Sequence, residues 1–207
     1  MGVMRVSVLG LVVAAYAAAA AAADIHAAVS ADSPIMIREA LDAGASVDTV
    51  GPGGQTPLMA AVLQGKVHAV EALLAAGADV SLGEKDGYTP MHGAGFQGRA
   101  EVAKLLLAHG LDPSDVHSDG YTPLHRACWG GEPRHTEMVR VLLKAGVPHN
   151  EKAADGKTPV EMVRDNKGTT KLLKQWASRG RECYQLNNGR LECELMKKAP
   201  AKPKKEL

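Results

Sequence analysis

Residues Gly120-Tyr121-Thr122-Pro123-Leu124-His125-Arg126-Ala127-Cys128 decide the fold, because close copies of them recur along the chain. Copies begin at Gly54 (GQTPLMAA), Gly87 (GYTPMHGA) and Gly156 (GKTPVEMV). Thr56 and Thr89 are 33 residues apart, Thr89 and Thr122 again 33, and Thr122 and Thr158 36. Self-similarity at that period implies an array of small units rather than one globular core. Within each copy, glycine supplies a turn, threonine can accept a hydrogen bond from the free amides of a starting helix, and proline suits the first helical position. Each copy therefore opens a helix.

About twenty residues further on comes a second apolar stretch that ends in glycine, the usual signal just past a helix end. The three are Val70-Glu71-Ala72-Leu73-Leu74-Ala75-Ala76-Gly77, Val102 to Gly110 and Val139 to Gly146. The unit reads as turn, short helix, second helix and return.

These residues resemble an ankyrin-repeat protein. Thr122-Pro123-Leu124-His125 is that family's TPLH motif intact, and Leu142-Leu143-Lys144-Ala145-Gly146 fits its second-helix ending. Thr56-Pro57-Leu58-Met59 and Thr89-Pro90-Met91-His92 each depart by one residue. The resemblance covers residues 24–178. It implies an all-α solenoid of helix-turn-helix units with short β-turn fingers, followed here by a small C-terminal β-hairpin. It also implies that His92 and His125 are structural groups bonded near the turn.

Residues 1–23 have the layout of a secretory signal peptide: Arg5, an apolar run from Val6 to Val13, then alanines, with Ala21-Ala22-Ala23 offering a cleavage site. Counting 33 back from Gly77 lands on Gly44, and from Leu58 on Ile25, so the first repeat starts just beyond that site. The alternative is an uncleaved anchor, since Val6 to Ala23 approaches membrane-spanning length. Residues 24–47 form a first repeat without the TPLH turn, with helices expected around Ile25 to Ala31 and Pro34 to Ala43. Repeats two, three and four run to about residues 80, 113 and 149. A fifth, from Asn150 to Ala177, ends in a polar helix on which Leu172, Leu173 and Trp176 share the packing side. The first and last repeats read as caps, because one side of each lacks a neighbour. Gly130-Gly131-Glu132-Pro133-Arg134-His135 holds the three-residue excess of repeat four and reads as an enlarged loop.

Beyond residue 178 the repeat stops. Residues 179–195 read as a hairpin: Glu182-Cys183-Tyr184-Gln185-Leu186 and Leu191-Glu192-Cys193-Glu194-Leu195 flank Asn187-Asn188-Gly189-Arg190. A three-residue loop ending on Gly189 puts Cys183 opposite Cys193, in place for a disulfide. Such a bridge agrees with the oxidising compartment a signal peptide implies. Cys128 reads as a reduced core thiol. Residues 196–207 carry Lys197, Lys198, Lys202, Lys204 and Lys205 with two prolines, a composition typical of disorder. Lys204-Lys205-Glu206-Leu207 resembles the KDEL-type endoplasmic-reticulum retrieval signal with a lysine in place of its acidic second residue. The expected location is the secretory pathway, lumenal or secreted, or the periplasm for a bacterial chain.

The net charge is +1, from 24 Lys and Arg against 23 Asp and Glu, so no global field steers the chain to nucleic acid. There is no phosphate-binding glycine loop, HExxH, GxSxG or CxxC motif, and His117, His135 and His149 lack partners at metal-ligand spacing. No enzymatic activity, catalytic residue, metal or cofactor is expected.

Aromatics are only 3% of residues, which makes their positions informative. Tyr88 and Tyr121 stand just before the Thr-Pro turn, and Phe96 and Trp129 near the end of the first helix, where repeat two has Leu63. In the ankyrin family these variable positions line the concave face, where partners bind. Each pair is spaced by 33, so Tyr88 is expected beside Tyr121 and Phe96 beside Trp129. Lys85, Asp86, Ser118 and Asp119 fall at fingertip positions that would add polar specificity. Aromatic hot spots dominate protein interfaces. The expected function is therefore a non-enzymatic adaptor, monomeric and free of the membrane after signal cleavage, that binds one protein partner. The alternative is a regulatory or protective subunit of a periplasmic or lumenal enzyme.

Overall fold

The computed structural model describes residues 24–51, 53–84, 86–179, 181–185 and 191–195. The signal-peptide reading, Lys85, the hairpin loop and the basic tail lie outside the described residues. The chain divides into two compact units between Asp79 and Val80.

The first unit holds α1 (Ile25–Ser30), α2 (Pro34–Asp42), α3 (Pro57–Gln64) and α4 (Val67–Ala75). Its sequence dictates each start. Asp24 accepts the amide of His26 ahead of α1, Ser33 that of Met36 ahead of α2, and Thr56 that of Met59 ahead of α3. Proline is the first residue of α2 and α3. Past α4, Gly77 has a positive φ of 82°, and the amides of Gly77 and Ala78 close onto the carbonyls of Leu74 and Leu73. Ile25, Val29, Ile37, Leu58, Val70 and Leu73 form its core. Asp32 ties the two helix pairs together: its carboxylate accepts the Ala69 amide at 2.8 Å near the start of α4 and bonds the His68 ring at 3.1 Å.

The second unit holds α5 (Pro90–Gln97), α6 (Ala100–Ala108), α7 (Pro123–Cys128), α8 (Pro133–Lys144), α9 (Pro159–Met162), α10 (Lys167–Arg179), β1 (Arg181–Gln185) and β2 (Leu191–Leu195). First helices α5, α7 and α9 pack in sequence, as do second helices α6, α8 and α10. The β-turn fingers precede each first helix. The amide of His117 bonds the Tyr121 carbonyl and that of Gly120 the His117 carbonyl, and the Ala154 amide reaches back to Gly120 in the neighbouring finger. The TPLH histidines bind the array together. His92 Nε2 donates to the Tyr121 carbonyl and His125 Nε2 to that of Glu151, each one repeat onward. α10 packs on α8 and buries Leu172, Leu173 and Trp176. The side chain of Asn166 fixes this join, donating to the carbonyls of Gly130 and Glu132 and accepting from Thr136 and from the Thr169 amide.

The connection between the helices of repeat four is longer, four residues (129–132) against two in repeats two and three (65–66 and 98–99), but α7 has six residues against eight in α3 and α5, so the spacing of helix starts is unchanged. α8 begins ten residues after α7 begins, as α6 does after α5 and α4 after α3. The excess lies in the second helix, which has 12 residues in α8 against nine in α4 and α6. Pro133 makes this possible, because proline is favoured at the first helical position. In the hairpin, β1 pairs antiparallel with β2 in the register that puts Cys183 opposite Cys193, and the two are joined by a disulfide. β2 packs against α8, where Lys144 lies 3.8 Å from Glu194.

Candidate functional site

The Thr-Pro turn fixes where the aromatics fall. Tyr88 and Tyr121 end the fingers, Phe96 lies on the last turn of α5, and Trp129 follows α7 directly. Phe96 is 53% exposed, whereas Tyr88, Tyr121 and Trp129 are half-buried.

Arg126 organises the other three. It sits in the middle of α7, only 7% exposed, with its guanidinium carbon 4.4 Å from the centroid of Trp129, 4.8 Å from Tyr88 and 5.0 Å from Tyr121. A cation over aromatic faces is attracted by their ring quadrupoles. Its charge is met by Asp119, and its Nη2 also donates to the Tyr88 hydroxyl at 2.8 Å. The Tyr88 hydroxyl in turn donates to Asp119 at 2.9 Å. His117 completes the group, with its ring stacked on Tyr88 at 3.8 Å.

The expected pairing of aromatics by repeat is therefore corrected. Among the described residues, ring contacts join Tyr88 to His117 and Tyr121 to Trp129, not Tyr88 to Tyr121 or Phe96 to Trp129. The physical reason is the long side chain of Arg126, at a register position that carries Ala60 and Gly93 in the two preceding repeats. Asp119 is also not a free fingertip charge, because Arg126, Tyr88 and His117 engage its carboxylate. Asp86 and Ser118 remain exposed, although the Asp86 carbonyl accepts from His117 Nε2 at 2.7 Å. Leu63 is half-buried in the first unit. Arg126 and His117 are the residues that sequence reasoning missed. The available signal was a charged residue at a helix position that is small in the preceding repeats.

Titration behaviour follows from these bonds. Both nitrogens of His117 face acceptors, the Asp86 carbonyl and the Asp119 carboxylate 2.9 Å from Nδ1, which suits the protonated ring. Burial pulls its pKa down, but these bonds outweigh it and raise the value above the ordinary one. Burial likewise pushes the Asp119 carboxyl up, and the bonds from His117, Tyr88 and Arg126 overcome this and hold it well below the usual carboxylate range. His92 and His125 behave oppositely. Each donates from Nε2 to a carbonyl and meets a threonine hydroxyl at Nδ1, an arrangement that suits the neutral ring, and burial lowers both. A proton-detected titration is therefore expected to show His117 titrating above about 6.5 and both His92 and His125 below it. The stability His117 contributes is present below its unfolded pKa and is lost as pH rises through the raised folded value. That from His92 and His125 is present above the unfolded value and is lost as pH falls toward their lowered ones. Titration of all three at one common value would contradict this assignment.

The Cys128 thiol beside the site is not poised for nucleophilic chemistry. Cys128 is fully buried, and desolvation pushes its thiol up to about 12. Among the described residues no cluster of His, Cys, Asp and Glu is arranged to hold a metal ion. Nor is any described helix long and apolar enough to cross a membrane.

The repeated turn, paired helices and histidine bonds define a class of stacked-repeat protein. The family model described as ankyrin repeats in three copies matches residues 25–117, 82–153 and 100–185, and the chain belongs to the ankyrin-repeat family. A comparison with curated proteins finds no match. Ankyrin repeats are in general non-catalytic modules for protein–protein interaction.

Proposed function

We propose that this chain is exported and binds one protein partner through the surface that carries Phe96, Trp129, Tyr121 and Tyr88. Such a surface would correspond to the concave face of the ankyrin family. Phe96 carries the reading: its ring is 53% exposed, and it is the one aromatic among the exposed large hydrophobic side chains of the described residues. Aromatics at interfaces bury much area at low entropic cost and are frequent hot spots. Arg126 stiffens the neighbouring rings, so they are ordered before the partner arrives. Asp86 and Ser118 supply exposed polar groups at the fingers. Export is supported by the layout of residues 1–23 and by the disulfide between Cys183 and Cys193, because such bonds persist in oxidising compartments.

A photo-crosslinking residue at position 96, introduced in the native host, tests the reading against the same probe at Ala108, which is exposed on α6. One dominant adduct from position 96 and none from 108 is expected. In purified protein, Phe96→Ala is expected to weaken the captured partner by about 2 kcal/mol and to change folding stability by less than about 0.5 kcal/mol. Equal adducts from both positions, or unchanged affinity, would overturn the assignment.

A further inference from the structure

A groove of about 660 Å3 lies along α10 and the turn before it. Arg164, Lys167, Lys171 and Lys174 line it, with the hydroxyls of Thr170 and Ser178. Lys167, Lys171, Lys174 and Ser178 follow at intervals of four, three and four, which places them on one helix face. All four basic residues are exposed, and none makes an ion pair among the described residues. Elsewhere in this unit Lys104 is matched by Glu101, Arg134 by Glu132, Arg140 by Glu137 and Lys157 by Asp155, while Lys152 is exposed without an ion pair among the described residues. Asp165 is the single acid in the lining. The placement also works against the helix. Lys167 opens α10 and its first turn holds no acid, although the positive end of a helix favours carboxylates there. Lys167 at that end and the like-charged Lys171 four residues on give the helix no electrostatic support.

We propose that this groove is a second interaction surface, independent of the aromatic one, and that it takes an extended acidic segment of a protein partner. Three lysines along one helix face, with Arg164 just before the helix, match a run of carboxylates. An anionic membrane fits less well, because none of the exposed large hydrophobic side chains lies in the lining to insert among lipids. A single-stranded nucleic acid fits less well too. Trp176, the aromatic of α10, is 2% exposed and leaves no ring for bases to stack on.

The test uses the full chain and a fluorescent octaglutamate peptide, read by anisotropy at low and high salt. Saturable binding that weakens with salt is expected. It should fall at least tenfold in the Lys167→Glu, Lys171→Glu, Lys174→Glu variant, and at least threefold in the milder Lys171→Gln, Lys174→Gln pair if the triple reversal lowers helicity. It should stay within twofold in a Lys104→Glu, Arg140→Glu control and in a variant with Lys197, Lys198, Lys202, Lys204 and Lys205 changed to Gln. The proposal is overturned by absent saturable binding, by an equal loss in the control, or by a loss that follows the tail lysines. Tighter binding to anionic phospholipid vesicles or to a single-stranded oligonucleotide than to octaglutamate would overturn it as well.

Discussion

Arg126→Ala is expected to destabilise the Val80–Leu207 unit by about 2 to 3 kcal/mol, measured by urea denaturation. The substitution leaves the Asp119 carboxylate without its guanidinium partner and strips the faces of Tyr88, Tyr121 and Trp129 of their contact. Removing one partner of a fully buried pair costs about 3 to 5 kcal/mol. Asp119 keeps 35% of its side chain in water, which places the expected loss below that range. Arg126→Lys should recover little, since a lysine ammonium lacks the planar fork that meets Asp119 and Tyr88 together. Adding Asp119→Asn to Arg126→Ala should cost much less than the sum of the two single changes. Strict additivity would show that the two residues are not coupled.

Gly95→Ala is expected to lower stability by about 2 kcal/mol, against the usual sign. In an exposed helix interior the same change gains about 1 kcal/mol. Here a Cβ on Gly95 would lie 2.5 Å from the carbonyl oxygen of Pro123 and 3.2 Å from its carbonyl carbon. Those are backbone atoms of the adjacent first helix, so no side-chain rotation relieves the clash and α5 must move away from α7. Gly131→Ala, in the connection before α8 where nothing lies within 4 Å, is a control without the clash and should be near neutral. A stabilised Gly95→Ala protein would show that the helices separate at negligible cost.

How far the sequence could be read depended on whether a residue's role is local. Thr56, Pro57 and Gly77 act on their own turn, so their helix boundaries were legible within a residue or two. Cys183 and Cys193 share a short hairpin, and their register followed from loop length. The enlarged connection was read half correctly: Gly130-Gly131 is loop, but Pro133, Arg134 and His135 join the second helix, a start that depends on the packing of α8. The aromatic surface was legible as a set of positions and not as a set of contacts. Its arrangement depends on Arg126 reaching Tyr88 across 38 residues, and no periodic count of rings reveals a cation among them.

The hydrogen bonds that run from His92 to Tyr121 and from His125 to Glu151 end in the fifth repeat. The fourth position of its motif is Glu161, which accepts the amide and hydroxyl of its own Thr158 at 2.8 and 2.7 Å. A glutamate carboxylate has no proton to offer a carbonyl further on, so the relay closes on itself. Within the Val80–Leu207 unit the donor relay thus runs one way and is not passed on from Glu161. A sixth unit, whether fused by duplication or presented by another molecule as the start of a fibre, would find no donor waiting at that position.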